Sequence, residues 1–191
     1  MTIVASAPGK LVVSGEYAVL VGAPALVLAV DRRVTSRLHD TSSGEWRFTS
    51  NGYAPDARHP LATLLGAKPL PRTDPAYLCQ HVLRRLLTTG IALDTLPTAL
   101  TIDIDSRAGF DAGHKLGLGT SAAVCATLSG ALLARCGSTR DVFPIALDAH
   151  RAAQGGRGSG VDVAAACHGG LIRYEATMPD PRVTRVPFPA G

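Results

Sequence analysis

Three glycine-rich segments hold the residues of this 191-residue chain that can do chemistry. The first is Lys115-Leu116-Gly117-Leu118-Gly119-Thr120-Ser121-Ala122-Ala123. Glycines let a backbone come close to a ligand, and a helix start aims unpaired N–H groups at it. Together these make a phosphate cradle. Thr120 or Ser121 can cap the helix, and a hydroxyl there can also touch a phosphate-bound Mg²⁺. Ala122 and Ala123 keep the first helical turn slim. A plain glycine turn with a Ser/Thr cap accounts for the segment equally well when it is taken alone.

The second segment runs from Ala7-Pro8-Gly9-Lys10 to Ser14-Gly15-Glu16-Tyr17. It puts Lys10 at a strand start and Ser14, Glu16 and Tyr17 beyond the strand's end. A lone lysine after Pro-Gly is ordinarily a solvated turn residue, so Lys10 matters only in company. The third segment is Gln154-Gly155-Gly156-Arg157-Gly158-Ser159-Gly160-Val161-Asp162. Its loop delivers Ser159 and Asp162 to the start of a short helix, where a carboxylate can accept a proton or orient a hydroxyl. The bland alternative is a capping-box variant, with Ser159 as the cap.

Known phosphate motifs narrow the choice. The Walker pattern G-x-x-x-x-G-K-[ST] fits nowhere. Residues 117–122 match the relaxed dinucleotide pattern G-x-G-x-x-A, but that pattern opens directly off a strand in the first βαβ unit. Here the preceding strand ends near Ser106, and the N-terminal region looks antiparallel.

The elements that must carry these segments follow from patterning. Residues 2–7 and 10–14 are short β-branched runs around Pro8-Gly9, which predicts two strands and a turn. Residues 25–38 form a long strand, and residues 45–50 are expected to pair with it through the Ser42-Ser43-Gly44 turn. Residues 51–72 are punctuated by Pro and Gly and predict a loop with a short helix at 61–65. Asp74-Pro75 starts a helix that Gly90 ends. Residues 99–106 alternate as a half-buried strand. Helices are expected over 120–136, 140–154 and 159–167, and closing strands over 170–175 and 182–187. The layout is α+β: a mixed sheet with helices packed on one face.

Composition is permissive. Hydrophobic residues make up 46% and charged residues 18%, too apolar for a disordered chain. The net charge of +4 favours anionic ligands without a basic run that would call for nucleic acid. Cys79, Cys125, Cys136 and Cys167 show no C-x-x-C pair and read as small buried hydrophobes. No secretory leader is legible and no apolar stretch has the length of a membrane span, so a cytoplasmic location is expected, with neither membrane nor nucleic acid as partner.

The three motifs in this order, P-G-K-x-x-x-x-G-E-Y, K-x-G-L-G-T-S-A-A and G-x-G-S-G-x-D-V-A, resemble the GHMP small-molecule kinases. The similarity runs from Ile3 to about Tyr174. Within that superfamily the chain is most similar to the phosphomevalonate kinase branch, through Gly15-Glu16-Tyr17, through Lys115, and through Ala149-His150-Arg151-Ala152-Ala153-Gln154-Gly155. Mevalonate kinases carry a Mg²⁺-binding Glu eleven residues before the aspartate, where this chain has Arg151.

The resemblance implies the N-terminal GHMP domain over residues 1–191 (the ribosomal protein S5 domain 2-like fold), with ATP and Mg²⁺ as cofactors. It implies that Lys115, Gly117, Leu118, Gly119, Thr120, Ser121 and Ala122 bind ATP, with Ser121 touching Mg²⁺. Lys10 and Asp162 would be catalytic, and Ser14, Glu16, Tyr17, Ser159 and Gly160 would line the pocket of a small anionic acceptor. Arg107, Lys115, Arg151 and Arg157 are candidates to attract anions or simply solvated surface. The implied reaction is phosphoryl transfer to 5-phosphomevalonate. Mevalonate kinase or another GHMP kinase is the first alternative, and an incomplete, non-catalytic domain the second. Family members run to roughly twice a single-domain length. The resemblance therefore implies a C-terminal domain missing from this chain, or a homo-oligomer in its place.

Overall fold

The computed structural model describes residues 1–51, 54–177 and 180–188. Its organising strand is β2 (Ala25–Asp40). Strand β1 (Thr2–Ser14) pairs antiparallel along nearly all of one edge of β2. The other edge is shared: β5 (Leu100–Asp105) takes residues 35–40 and β8 (Leu171–Glu175) takes residues 25–28. Strand β3 (Trp46–Asn51) joins β5 in parallel and β4 (Ala54–His59) antiparallel, while β9 (Arg182–Val186) closes the far side on β8. A separate hairpin pairs β6 (Phe110–Asp111) with β7 (His114–Lys115).

Three expectations change. Pro8-Gly9 is not a turn between two strands. β1 passes straight through it, with a register shift that leaves Pro8 opposite Arg33 and Gly9 opposite Val30. Proline cannot donate to a ladder, and a bulge is where a strand tolerates it. Residues 46–51 do not pair with β2. The alternating Leu100, Ile102 and Ile104 of β5 occupy that edge, all buried, and β3 docks outside them through buried Trp46 and Phe48. The segment expected as loop contains β4 as well as the helix α1 (Leu61–Leu65), and residues 52–53 of it lie outside the described residues.

Helices α3 (Thr120–Arg135) and α5 (Val161–His168) lie on β1 and β2. Helices α2 (Tyr77–Thr88) and α4 (Val142–Ala153) pack outside α3. The helix α3 is buried on almost every side, which explains its Ala-rich, nearly all-apolar sequence. Its buried polar contact with the sheet is a chain of hydroxyls. Thr127 donates to the Val124 carbonyl (3.0 Å), so Ser36 of β2 donates to Thr127 Oγ1 (2.7 Å). The helix α4 starts at Asp141, whose carboxylate accepts from Phe143 N–H (3.0 Å). The cysteines behave as hydrophobes: all four are free, and burial pushes the Cys79 and Cys125 thiols far above their ordinary range and Cys167 up to about 12. Among the described residues no helix is long and apolar enough to cross a membrane.

Candidate active site

The helices α3 and α5 begin in the same unusual way. Each is entered through a glycine in the left-handed region, Gly119 (φ 73°, ψ 34°) and Gly160 (φ 85°, ψ 5°), and no side chain caps either. Thr120 and Ser121 are therefore not caps but the first two helical residues, and Asp162 is the second residue of α5. In α5 the Val161 and Val163 N–H groups are taken by Ser159 Oγ (3.4 Å) and Asp162 Oδ1 (3.0 Å), whereas the first-turn N–H groups of α3 keep their capacity for an anion. Gly160 has no alternative: a Cβ there would lie 2.2 Å from Leu147 Cδ1 and 3.0 Å from the Tyr174 hydroxyl.

The fold brings the three glycine-rich segments to one point. Lys10 N–H of β1 donates to the Leu118 carbonyl at 2.8 Å. Gly9 fits so closely against Leu118 that a Cβ there would sit 3.0 Å from its Cβ and its carbonyl oxygen. A Cβ on Gly119 would stand 3.1 Å from both Asp162 Cβ and Lys10 Cγ. A cation, a carboxylate and an uncapped helix start thus surround a single bare backbone position. Asp162 and Lys10 are half-buried, as expected of groups facing a site rather than bulk water.

The Gly158–Asp162 loop is held from behind. The Ser159 carbonyl accepts from Arg151 Nη2 (3.2 Å) and from the Tyr174 hydroxyl, and Ser159 Oγ accepts from Val161 N–H (3.4 Å). Burial pushes the Tyr174 phenol up to about 12, so it remains a donor. Arg151 is therefore engaged with the loop backbone. Arg107 is likewise engaged, by Asp105 (Nε 3.0 Å, Nη2 2.7 Å), which holds that carboxyl below its ordinary range. Arg157 is exposed.

On the other side of Ser121 lies a cavity of about 200 Å³ between α2, α3 and the end of α4. Lys115, Thr120 and Ser121 line one wall, and Arg72, Tyr77 and His150 the other. Ser121 Oγ is 3.0 Å from His150 Nε2. Burial holds the His150 imidazole below its usual pKa, partly countered by the nearby Asp162 charge. Tyr77 and Arg72 both donate to the Ala153 carbonyl, at 2.6 and 3.2 Å.

Of the residues singled out from the sequence, Lys10, Leu118, Gly119, Asp162, Thr120 and Ser121 meet around the two helix starts. Ala122 is buried beneath them, Gly117 is exposed beside them, and Ser159 and Gly160 form the last step into α5. Ser14, Glu16 and Tyr17 stand apart. Ser14 lies roughly 13 Å beyond Lys10 along an extended strand, and all three are exposed. No hydrogen bond or ion pair joins them to the site among the described residues. Sequence reasoning did not single out Arg72, Tyr77 or the pairing of Ser121 with His150. The legible signal was the four-residue spacing of His150 and Gln154, which puts both on one face of α4.

Residues 76–170 match the family model described as "GHMP kinases N terminal domain". The chain is 36% identical over 189 residues to a phosphomevalonate kinase of a Streptomyces species, covering 92% of this chain and 50% of the relative. It is 31% identical over 174 residues to a mevalonate kinase of Methanothermobacter thermautotrophicus, covering 90% and 50%. The chain thus spans about half the length of the curated relatives it matches. Among solved structures, Streptococcus pneumoniae phosphomevalonate kinase in complex with phosphomevalonate and AMPPNP shares the fold, with a TM-score of 0.76 at 22% identity, over 96% of this chain and 59% of that one. On these matches the chain belongs to the GHMP kinases, whose N-terminal domain its residues 76–170 match.

Proposed function

We propose that this chain is the nucleotide-binding half of a mevalonate-pathway kinase and that its reaction is transfer of the ATP γ-phosphoryl group to 5-phosphomevalonate. The observation that carries the reading is the convergence at Gly119, where Lys10 Cγ and Asp162 Cβ each lie 3.1 Å from the position of an added Cβ. The curated relatives with these names, and the half-length match to them, support it.

Phosphoryl transfer is chiefly positioning and charge neutralisation. The first-turn N–H groups of α3, with Gly117 and Gly119 leaving the backbone bare, would hold the ATP phosphates. Lys115, on the cavity wall, would add positive charge to them. Lys10 stands where the transferred group would pass and stabilises its developing charge. A phosphate-monoester acceptor is already anionic at neutral pH, its second pKa being about 6. Asp162 then has no obligatory proton to remove, and its work is to orient the acceptor and keep Lys10 aligned.

The residues fit Mg²⁺ in the manner typical of nucleotide sites. No cluster of three His, Cys, Asp or Glu side chains capable of holding a metal occurs among the described residues. Mg²⁺ bound mainly through substrate phosphates needs only one or two protein oxygens, and Ser121 Oγ with the Asp162 carboxylate would supply them. When bound, the ion neutralises phosphate charge.

Arg151 favours phosphomevalonate over mevalonate as acceptor. At the position where mevalonate kinases carry an acidic metal ligand, this chain has a guanidinium bonded to the Ser159 carbonyl. The rest of the acceptor pocket, including Ser14, Glu16 and Tyr17, is assigned to a surface completed by a second domain or a second copy of the chain.

A coupled ADP-release assay with mevalonate, 5-phosphomevalonate, homoserine and galactose tests the reading. Turnover is expected with 5-phosphomevalonate. Preference for mevalonate would move the assignment to mevalonate kinase. Mg-ATP binding without turnover on any of the four would identify a domain that needs its other half.

A further inference from the structure

The last turn of α4 reaches the phosphate cradle from behind, through His150. The imidazole is buried, with 2% of its surface exposed, and its Nε2 faces two groups: Ser121 Oγ at 3.0 Å and Gln154 Nε2 at 3.4 Å. The Gln154 amide nitrogen can only donate. With the amide so oriented, Nε2 of His150 is the lone-pair nitrogen and the proton of the neutral ring lies on Nδ1. A hydroxyl beside a lone-pair nitrogen donates to it. The Ser121 proton is therefore turned back into the protein, and the Ser121 oxygen presents only lone pairs to the cavity.

We propose that His150 is a positioning residue: as the Nδ1–H tautomer it takes the Ser121 hydroxyl proton in a hydrogen bond, so that Ser121 meets the nucleotide as an oxygen ligand for its cation and not as a donor to phosphate. This rests on the nucleotide-binding reading given above for its consequence, but not for the tautomer itself. Gln154 fixes the ring. Its Oε1 lies close to Gly158, where an added Cβ would come within 2.7 Å of it. The third glycine-rich segment thus bears on the first through Gln154 and His150, without either segment touching the other there.

Two measurements test the proposal. The first uses the ligand-free chain labelled with ¹⁵N-histidine. Long-range ¹H–¹⁵N correlation at pH 7.5 should show His150 Nε2 at a lone-pair-type shift and Nδ1 protonated; a protonated Nε2 would overturn the proposal. The second measures affinity by calorimetry for Mg-ATP and for ATP in EDTA. His150→Leu should weaken Mg-ATP about tenfold, the scale of one net hydrogen bond, and change metal-free ATP less than about twofold. His150→Gln, whose amide oxygen can accept in place of Nε2, should recover most of the loss. Equal losses with and without Mg²⁺, or equal behaviour of the Leu and Gln variants, would mean that His150 only fills space. If the wild-type chain binds no ATP in either form, the nucleotide reading fails, and the tautomer measurement still decides the state of the Ser121–His150 pair.

Discussion

Replacing Gly119 by alanine tests the convergence at the heart of the site, and Gly117→Ala is its built-in control. Both glycines have φ of 73°. The backbone strain of an L-residue in that region, about 1–2 kcal/mol, is therefore common to both variants. Their surroundings differ. A Cβ on Gly117 meets nothing within 4 Å, whereas on Gly119 it meets Asp162 Cβ and Lys10 Cγ at 3.1 Å. The lysine stem can swing away, but Asp162 Cβ is fixed to the first turn of α5 and can yield only if that turn shifts. Overpacking of this kind costs about 1–3 kcal/mol. Gly119→Ala should therefore be less stable than Gly117→Ala by at least about 1 kcal/mol in urea unfolding. It should also lose about 10²-fold in turnover, the scale of a 1 Å misplacement of reacting groups. Equal stability in the two variants would refute the idea that Lys10, Gly119 and Asp162 share one crowded point.

Other consequences can be checked separately. Asp162→Asn and Lys10→Met should each lower phosphoryl transfer about 10²-fold or more with little change in affinity for metal-free ATP, measured by steady-state kinetics and calorimetry; near-wild-type turnover in Asp162→Asn would remove it from the mechanism. Thr127→Val leaves the buried Ser36 hydroxyl without its acceptor and should cost about 1–3 kcal/mol, while adding Ser36→Ala should recover part of that cost in a double-mutant cycle. His81 is held below its usual pKa by burial and by Arg84 and Arg72, and its Nε2 has no hydrogen-bond partner among the described residues. The unfolded chain therefore binds more protons as pH falls below about 6.5, so this residue costs stability on acidification. His81→Phe, which keeps an aromatic ring against Tyr77, should flatten the fall in Tm between pH 7 and pH 5.

What the sequence reveals of this protein tracks how local the determining physics is. The helices were legible because their signals are internal: the apolar run of α3 and the glycine after α2. The phosphate cradle and Asp162 were legible because glycine spacing and chain order carry them. Strand partnership was not. Whether Trp46–Asn51 or Leu100–Asp105 lies beside β2 depends on which strand buries its alternating face there, a competition between segments far apart in the chain. Pro8-Gly9 misled for a related reason: the dipeptide favours a turn, but the long partner β2 absorbs it as a bulge. The pairing of His150 with Ser121 is not legible because it lies in a distance that no spacing rule gives.

The most direct test of the account is a crystal structure of this chain with Mg²⁺ and AMPPNP. The account predicts phosphates on the first-turn amides of α3, and the γ-phosphate over Gly119 between Lys10 and Asp162. A nucleotide bound away from Gly119, or with its γ-phosphate out of reach of both Lys10 and Asp162, would contradict it.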